Sequence, residues 1–240
     1  MKAIKITILF LAVVSLTACN LDLHIGQVNG NGNVTTEERE LHGDFDQVKG
    51  SAGVDVYLTE GDEFKIVVEA DENLVPLIET KIQNGRLNIR TTENIGRAKA
   101  KKVHVTYKTL SAVYASSGAD VIGNSVIKSE SLVLESSSGA DLEVDIIAKE
   151  VYADVSSGAD LKISGRAMRL IAEASSGSDL KAKDLEVQYC KAKASSGADI
   201  VVNVKEEMDG KASSGGDIRY YGNPTAVSVK DGASGNVRKM

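Results

Sequence analysis

Six aspartates, Asp120, Asp141, Asp160, Asp179, Asp199 and Asp217, each stand two residues after the glycine of a Ser-Ser-Gly-x-Asp string. The glycines, Gly118, Gly139, Gly158, Gly177, Gly197 and Gly215, are 21, 19, 19, 20 and 18 residues apart. Repetition at that period restacks one unit, so the carboxylates should form a column about 4.8 Å apart. Two unscreened charges at that distance repel by about 0.9 kcal/mol even in water, and something must offset a column of them. The spacing favours carboxylates that accept hydrogen bonds from turn N–H groups or from the serine hydroxyls. The competing chemistry is a column of bound cations, because calcium takes several carboxylate oxygens. One aspartate per repeat is sparse beside the nonapeptide repeats of calcium-binding β-rolls. Raised carboxyl pKa values or screening by solvent are the remaining ways to relieve the column.

Other residue types offer less. The paired serines all belong to the repeated turn, whereas a nucleophile needs a base and a local departure from the repeat. His24, His42 and His104 are scattered without the spacing of a zinc site. Gly30-x-Gly32 has Thr35 where a dinucleotide fingerprint needs its third glycine. No catalytic residue, cofactor or metal is therefore expected, and the chain reads as a non-enzyme.

The elements that must position the turns follow from the columns around each glycine. Three residues after it stand Val121, Leu142, Leu161, Leu180, Ile200 and Ile218, and five after it Gly123, Val144, Ile163, Ala182, Val202 and Tyr220. Between them lie Ile122, Glu143, Lys162, Lys181, Val201 and Arg219, so one strand face points inward and the other to water. The approach alternates likewise, with Ala115, Ser136, Val155, Ala174, Ala194 and Ala212 three back, and Tyr114, Glu135, Asp154, Glu173, Lys193 and Lys211 four back. Seven back stand Ser111, Leu132, Val151, Leu170, Cys190 and Met208, which makes Cys190 a small core hydrophobe. A unit of about 19 to 20 residues suits one rung of a parallel β-helix better than a propeller blade of about 40.

Four segments result. Residues 1–18, with Lys2, Lys5 and the apolar run Ile6 to Leu16, have the layout of a secretory signal. Leu16-Thr17-Ala18-Cys19 resembles the bacterial lipobox, whose cysteine is acylated, so Cys19 is the expected lipidation site and residues 19–40 a lipidated flexible tether. Residues 41–110 read as a β-rich lead-in that caps the stack, with Ser51-Ala52-Gly53-Val54-Asp55 a degenerate first turn and Glu72 to Thr80 the one short helix, limited by Pro76. Residues 111–240 carry the β-helix repeats and a closing rung around the worn copy Ala233-Ser234-Gly235-Asn236.

Charge and composition narrow the partners. Loss of Lys2 and Lys5 with the signal takes the formal charge from −6 to −8, which disfavours nucleic acid. With no tryptophan and only seven tyrosines and three phenylalanines, there is little material for a sugar-stacking platform.

The lipobox, Phe45-Asp46-Gln47-Val48 followed by Val54-Asp55-Val56-Tyr57-Leu58, the recurring turns and Tyr221-Gly222-Asn223-Pro224 together resemble the putative auto-transporter adhesin head family, the GIN domain common in Bacteroidetes lipoproteins. The resemblance covers roughly residues 35–240. It implies a right-handed, pectin-lyase-like parallel β-helix and a role in adhesion, and it supplies no catalytic residues. The expectation is an all-β, lipid-anchored protein of the cell envelope, an outer-membrane lipoprotein that touches the membrane through its lipid. Its repetitive face would contact a glycan, a surface protein or a second copy of itself. A polysaccharide-active β-helix enzyme and an inert structural spacer are the alternatives, the first only by analogy of fold.

Overall fold

The computed structural model describes residues 26–232 and 234–240. The signal segment 1–18 and Cys19 lie outside the described residues.

Strand alternation and turn chemistry build the molecule. Its N-terminal part comprises β1 (Val34–Glu38), β2 (Gln47–Gly50), β3 (Asp55–Glu60), β4 (Lys65–Asp71), β5 (Ile78–Gln83), β6 (Arg86–Thr91) and β7 (Lys101–Tyr107). The tower follows as β8 (Ala112–Ser116), β9 (Asp120–Gly123), β10 (Ile127–Ser137), β11 (Asp141–Ser156), β12 (Asp160–Ser175), β13 (Asp179–Ala194), β14 (Asp199–Ala212), β15 (Asp217–Tyr221), β16 (Ala226–Asp231) and β17 (Asn236–Lys239). From β8 onward each rung pairs in parallel with the next, as expected of a β-helix, in about 7 turns of roughly 19 residues.

The long strands serve two sheets. The first residues of β11 pair with β9, while its last residues pair in one ladder with β10 and, through it, β8. The sheet that approaches the turns therefore runs β5-β6-β2-β8-β10-β11-β12-β13-β14-β16, and the sheet that leaves them β1-β4-β7-β3-β9-β11-β12-β13-β14-β15-β17. Between the sheets lies one core. All the inward residues three after the turn glycines are buried, and so are the inward residues three before them. Full burial of each Leu or Ile contributes about 1.5–3 kcal/mol, and the columns five after and seven before the glycines add to the same core.

The turns themselves are bonded from rung to rung. Each serine before the glycine has φ of 52–58° and each glycine of the six copies φ of 66–78°. Positive φ at both central residues is the signature of a type I′ turn, and the Ala119, Ala159, Ala198 and Gly216 N–H groups close it by donating to the carbonyls of Ser116, Ser156, Ser195 and Ser213. The glycine N–H then points up the stack: Gly118, Gly139, Gly158, Gly177 and Gly197 each donate to the serine carbonyl of the next turn at 3.1 Å. A Cβ on Gly158 would meet nothing within 4 Å, so glycine is required there by backbone conformation and not by space.

The rungs are not stacked in chain order at the N-terminal end. The β2/β3 rung lies between β6/β7, which come later in the chain, and β8/β9. The cap consists of antiparallel strands, β5 on β6 and β4 then β1 on β7, which pair the backbone that the first parallel rung would leave open.

Two expectations need correction here. Glu72 to Thr80 is not a helix: only Val75–Leu77 forms a 3-10 turn, and Ile78 begins β5. Pro76 has no N–H to continue a helix, and burial of Ile78 together with pairing to β6 decides the rest. The tether does not extend to residue 40. β1 pairs along its length with β4, Val28 bridges Ile95, and buried Asp71 accepts the N–H groups of Gly32, Lys99 and Ala100 at 2.8–3.1 Å. The side chains of β1 are all exposed, so the strand is held by backbone pairing and lacks the apolar alternation that would have revealed it.

Candidate functional site

The aspartates form the expected column and it is longer than the six repeats. Register places Asp55 beside Asp120, then Asp141, Asp160, Asp179, Asp199 and Asp217 in turn. Lys102 stands beyond Asp55 at one end and Asn236 beyond Asp217 at the other. The degenerate first copy identifies Asp55 in the sequence; Lys102 carries no turn motif and enters only through the pairing of β3 with β7.

The carboxylates are not held as turn acceptors. The turn N–H groups are used within the turn and along the stack, as are those of the aspartates: Asp141, Asp160 and Asp179 N–H donate to Ala119, Ala140 and Ala159 carbonyls at 3.0–3.1 Å. Cations of the next outward column offset part of the charge instead. Lys181 Nζ lies 3.0 Å from Asp160 and 3.5 Å from Asp179, and Arg219 Nη2 donates to Asp199 at 2.8 Å. Asn236 Nδ2 donates to Asp217 at 3.1 Å, where Arg238 stands at 4.0 Å. Lys162, which continues that column, turns to Glu143 at 2.6 Å, and among the described residues Asp120 and Asp141 have no ion-pair partner. Burial and the flanking charges of Asp120 and Asp160 hold the Asp141 carboxyl above its ordinary pKa. Burial likewise raises that of Asp55, against the pull of Lys101. Among the described residues no three His, Cys, Asp or Glu side chains converge on a point that could hold a metal ion.

The other candidates are structural in their surroundings. Buried Ser136 donates to the Ala140 carbonyl at 2.8 Å, and buried Ser178 reaches the carbonyls of Ser175 and Val155 at 2.8 and 2.9 Å. These hydroxyls are occupied in tying turns to the stack. Cys190 is 4 % exposed in the core, and burial pushes its thiol up to about 12, which leaves almost no thiolate at neutral pH. The His104 Nε2–H donates to the Glu69 carboxylate at 2.8 Å, and the ring stacks on Tyr57 at a centroid distance of 5.3 Å, an outward pair on the cap sheet.

Sequence reasoning treats the outward column four before each glycine simply as polar, yet register shows it to be ordered by charge. Glu135, Asp154 and Glu173 are consecutive neighbours, followed by Lys193, Lys211 and Lys230. Beside the acids run Val133, Tyr152 and Ile171, with Tyr152 41 % exposed. The signal is visible in the chain once residues are read down the repeats and the sign of each charge is kept.

A stacked, turn-bonded solenoid whose conspicuous polar groups recur rung after rung is a β-helix built around long repetitive faces. The chain belongs to the family described as putative auto-transporter adhesin, head GIN domain, whose profile matches residues 44–224. Solved structures of the same fold include a putative adhesin from Bacteroides fragilis NCTC 9343 (17% identity, TM-score 0.78, covering 89% of this chain and 100% of that one). A putative adhesin from Parabacteroides merdae ATCC 43184 aligns at 20% identity and a TM-score of 0.72 over 90% and 99% of the two chains. A putative lipid binding protein from Parabacteroides distasonis ATCC 8503 aligns at 19% and 0.67 over 89% and 99%. No curated protein matches the chain.

Proposed function

We propose that the protein is a lipid-anchored, non-catalytic binding scaffold of the bacterial cell envelope, an adhesin in which the tower presents its outward columns to a repetitive partner. The observation that carries this reading is the uniformity of the polar residues. Serines, aspartates and outward charges each recur at one register position, whereas an active site requires unlike groups gathered at one place. Repeated weak contacts along such a face sum by avidity. Membership of an adhesin-type family supports an envelope location, and the lipobox at Cys19 supports the anchor. A lipid ligand, the description carried by one structural neighbour, would need an apolar cavity, and the space between these sheets is filled by core side chains.

Residues 26–240, which contain all the described strands, should retain glycan or protein from envelope or host-surface extracts in a saturable manner. They should release no product from a panel of acidic and neutral polysaccharides. Sustained turnover lost on substituting one or two carboxylates without unfolding would make the protein an enzyme, and neither binding nor turnover would make it a spacer.

A further inference from the structure

The sorted charge column on the approach sheet has an unfavourable arrangement within one chain. Opposite charges on neighbouring strands stabilise their pairing and like charges oppose it. Of the five adjacent pairs from Glu135 to Lys230, only Glu173 and Lys193 are opposite in sign, and they form an ion pair at 3.6 Å. Among the described residues Glu135, Asp154, Lys211 and Lys230 form none. Burial and the adjacent Glu173 raise the Asp154 carboxyl above its ordinary pKa, against the pull of Lys193. Alternation of sign would have avoided this at no cost to the fold, since every position is outward.

The same order becomes complementary under one operation. A two-fold axis parallel to the strands, between β12 and β13, inverts the stacking direction and preserves position along the strand. We propose that this face docks a second copy of the chain about that axis. Glu173 then faces the second copy's Lys193, Asp154 its Lys211 and Glu135 its Lys230, and each contact occurs twice. In the adjacent column Tyr152 faces Asp209 of the second copy, so its phenol gains an acceptor, and Ile171 lies against the stem of Lys191; one column further Arg169 faces Tyr189, while Glu150 faces Glu207, the one like-charge contact against the three opposite pairs. The contact is isologous, so it closes at two copies.

Six rungs at about 4.8 Å and six to seven residues of strand give a footprint of about 600 Å² per copy, at the low end for specific association. Association over so small a contact is weak and calls for concentrated protein at low salt. It should weaken roughly tenfold at 1 M salt, where the screening length is about 3 Å. The proposal names one partner for the binding face. It stands apart from capture of envelope material, since a strictly monomeric protein can still bind such material and a dimer can fail to.

Sedimentation equilibrium of residues 26–240, with two charge-reversed variants, tests it. One variant carries Glu135→Lys and Asp154→Lys, the other Lys211→Glu and Lys230→Glu. All four positions are outward, and circular dichroism melts check that both variants fold. Each variant alone should be monomeric at concentrations where the parent dimerises, because each column then opposes itself. Mixed together they should form a one-to-one heterodimer, because every reversed pair is again opposite in sign. A parent that stays monomeric at about 100 µM in low salt, variants that self-associate like the parent, or a mixture that stays monomeric would each overturn the proposal.

Discussion

At the scale of the residue, the aspartate column shows how one side-chain type can occupy one register and have different energetics from rung to rung. Asp160 and Asp199 have a cation within hydrogen-bond distance, whereas Asp141 sits between two like charges without an ion-pair partner among the described residues. Because the folded-state pKa of Asp141 is raised, the folded protein holds the proton more tightly than the unfolded chain does. Stability contributed by this group therefore falls as pH rises from the ordinary carboxylate value of about 3.9 through the raised one, and the loss is complete at neutral pH. Asp141→Asn should accordingly leave Tm unchanged or raise it at pH 7, and any gain should vanish below about pH 4. A marked loss of Tm at pH 7 would show that the ionised carboxylate is a required acceptor or holds a cation. In the second case chelation of the parent would lower Tm and added calcium would restore it. Asp71 has the opposite sign. Backbone N–H groups overcome its burial and lower its pKa, so its stabilisation is present above the ordinary carboxylate range and is lost on acidification.

At the scale of the element, register decides whether a charge is tolerated. Leu161 and Lys162 are neighbours in β12, one buried and the other outward. Leu161→Lys places a charge in the core and should cost about 3–5 kcal/mol or prevent folding. Lys162→Glu loses one exposed ion pair with Glu143 and faces a like charge, which should cost under about 1 kcal/mol. Chemical denaturation midpoints compare the two, and equal losses would refute the inward assignment. This register was legible in the chain because the turn motif marks its origin every 18 to 21 residues and the aliphatic column never breaks. The cap was less legible. β1 is polar on both faces and Ile78 to Thr80 lies among helix-compatible residues, so in each case the pairing partner, β4 or β6, settles the conformation.

At the scale of the whole molecule, the proposed anchor, Cys19, lies outside the described fold. Cys19→Ala should abolish incorporation of a fatty-acid probe and leave unprocessed precursor or a product released from the membrane, because the proposed anchor is the lipid on that cysteine. Label that persists in the variant would reject Cys19 as the acylation site. What the sequence by itself determined was the rung: its length, its inward columns, the place of its Ser-Ser-Gly turn and the column of aspartates, all of which depend on local period and residue type. Only the tertiary structure decided which rung lies beside which where the chain departs from sequential order, as with β2/β3 between β6/β7 and β8/β9. It alone decided that the turn N–H groups bond along the stack and leave the carboxylates to Lys181 and Arg219. The reason is physical. A strand's inward face is set by its own alternation, but its hydrogen-bond partners and the charges beside it belong to other strands, and only stacking brings those together.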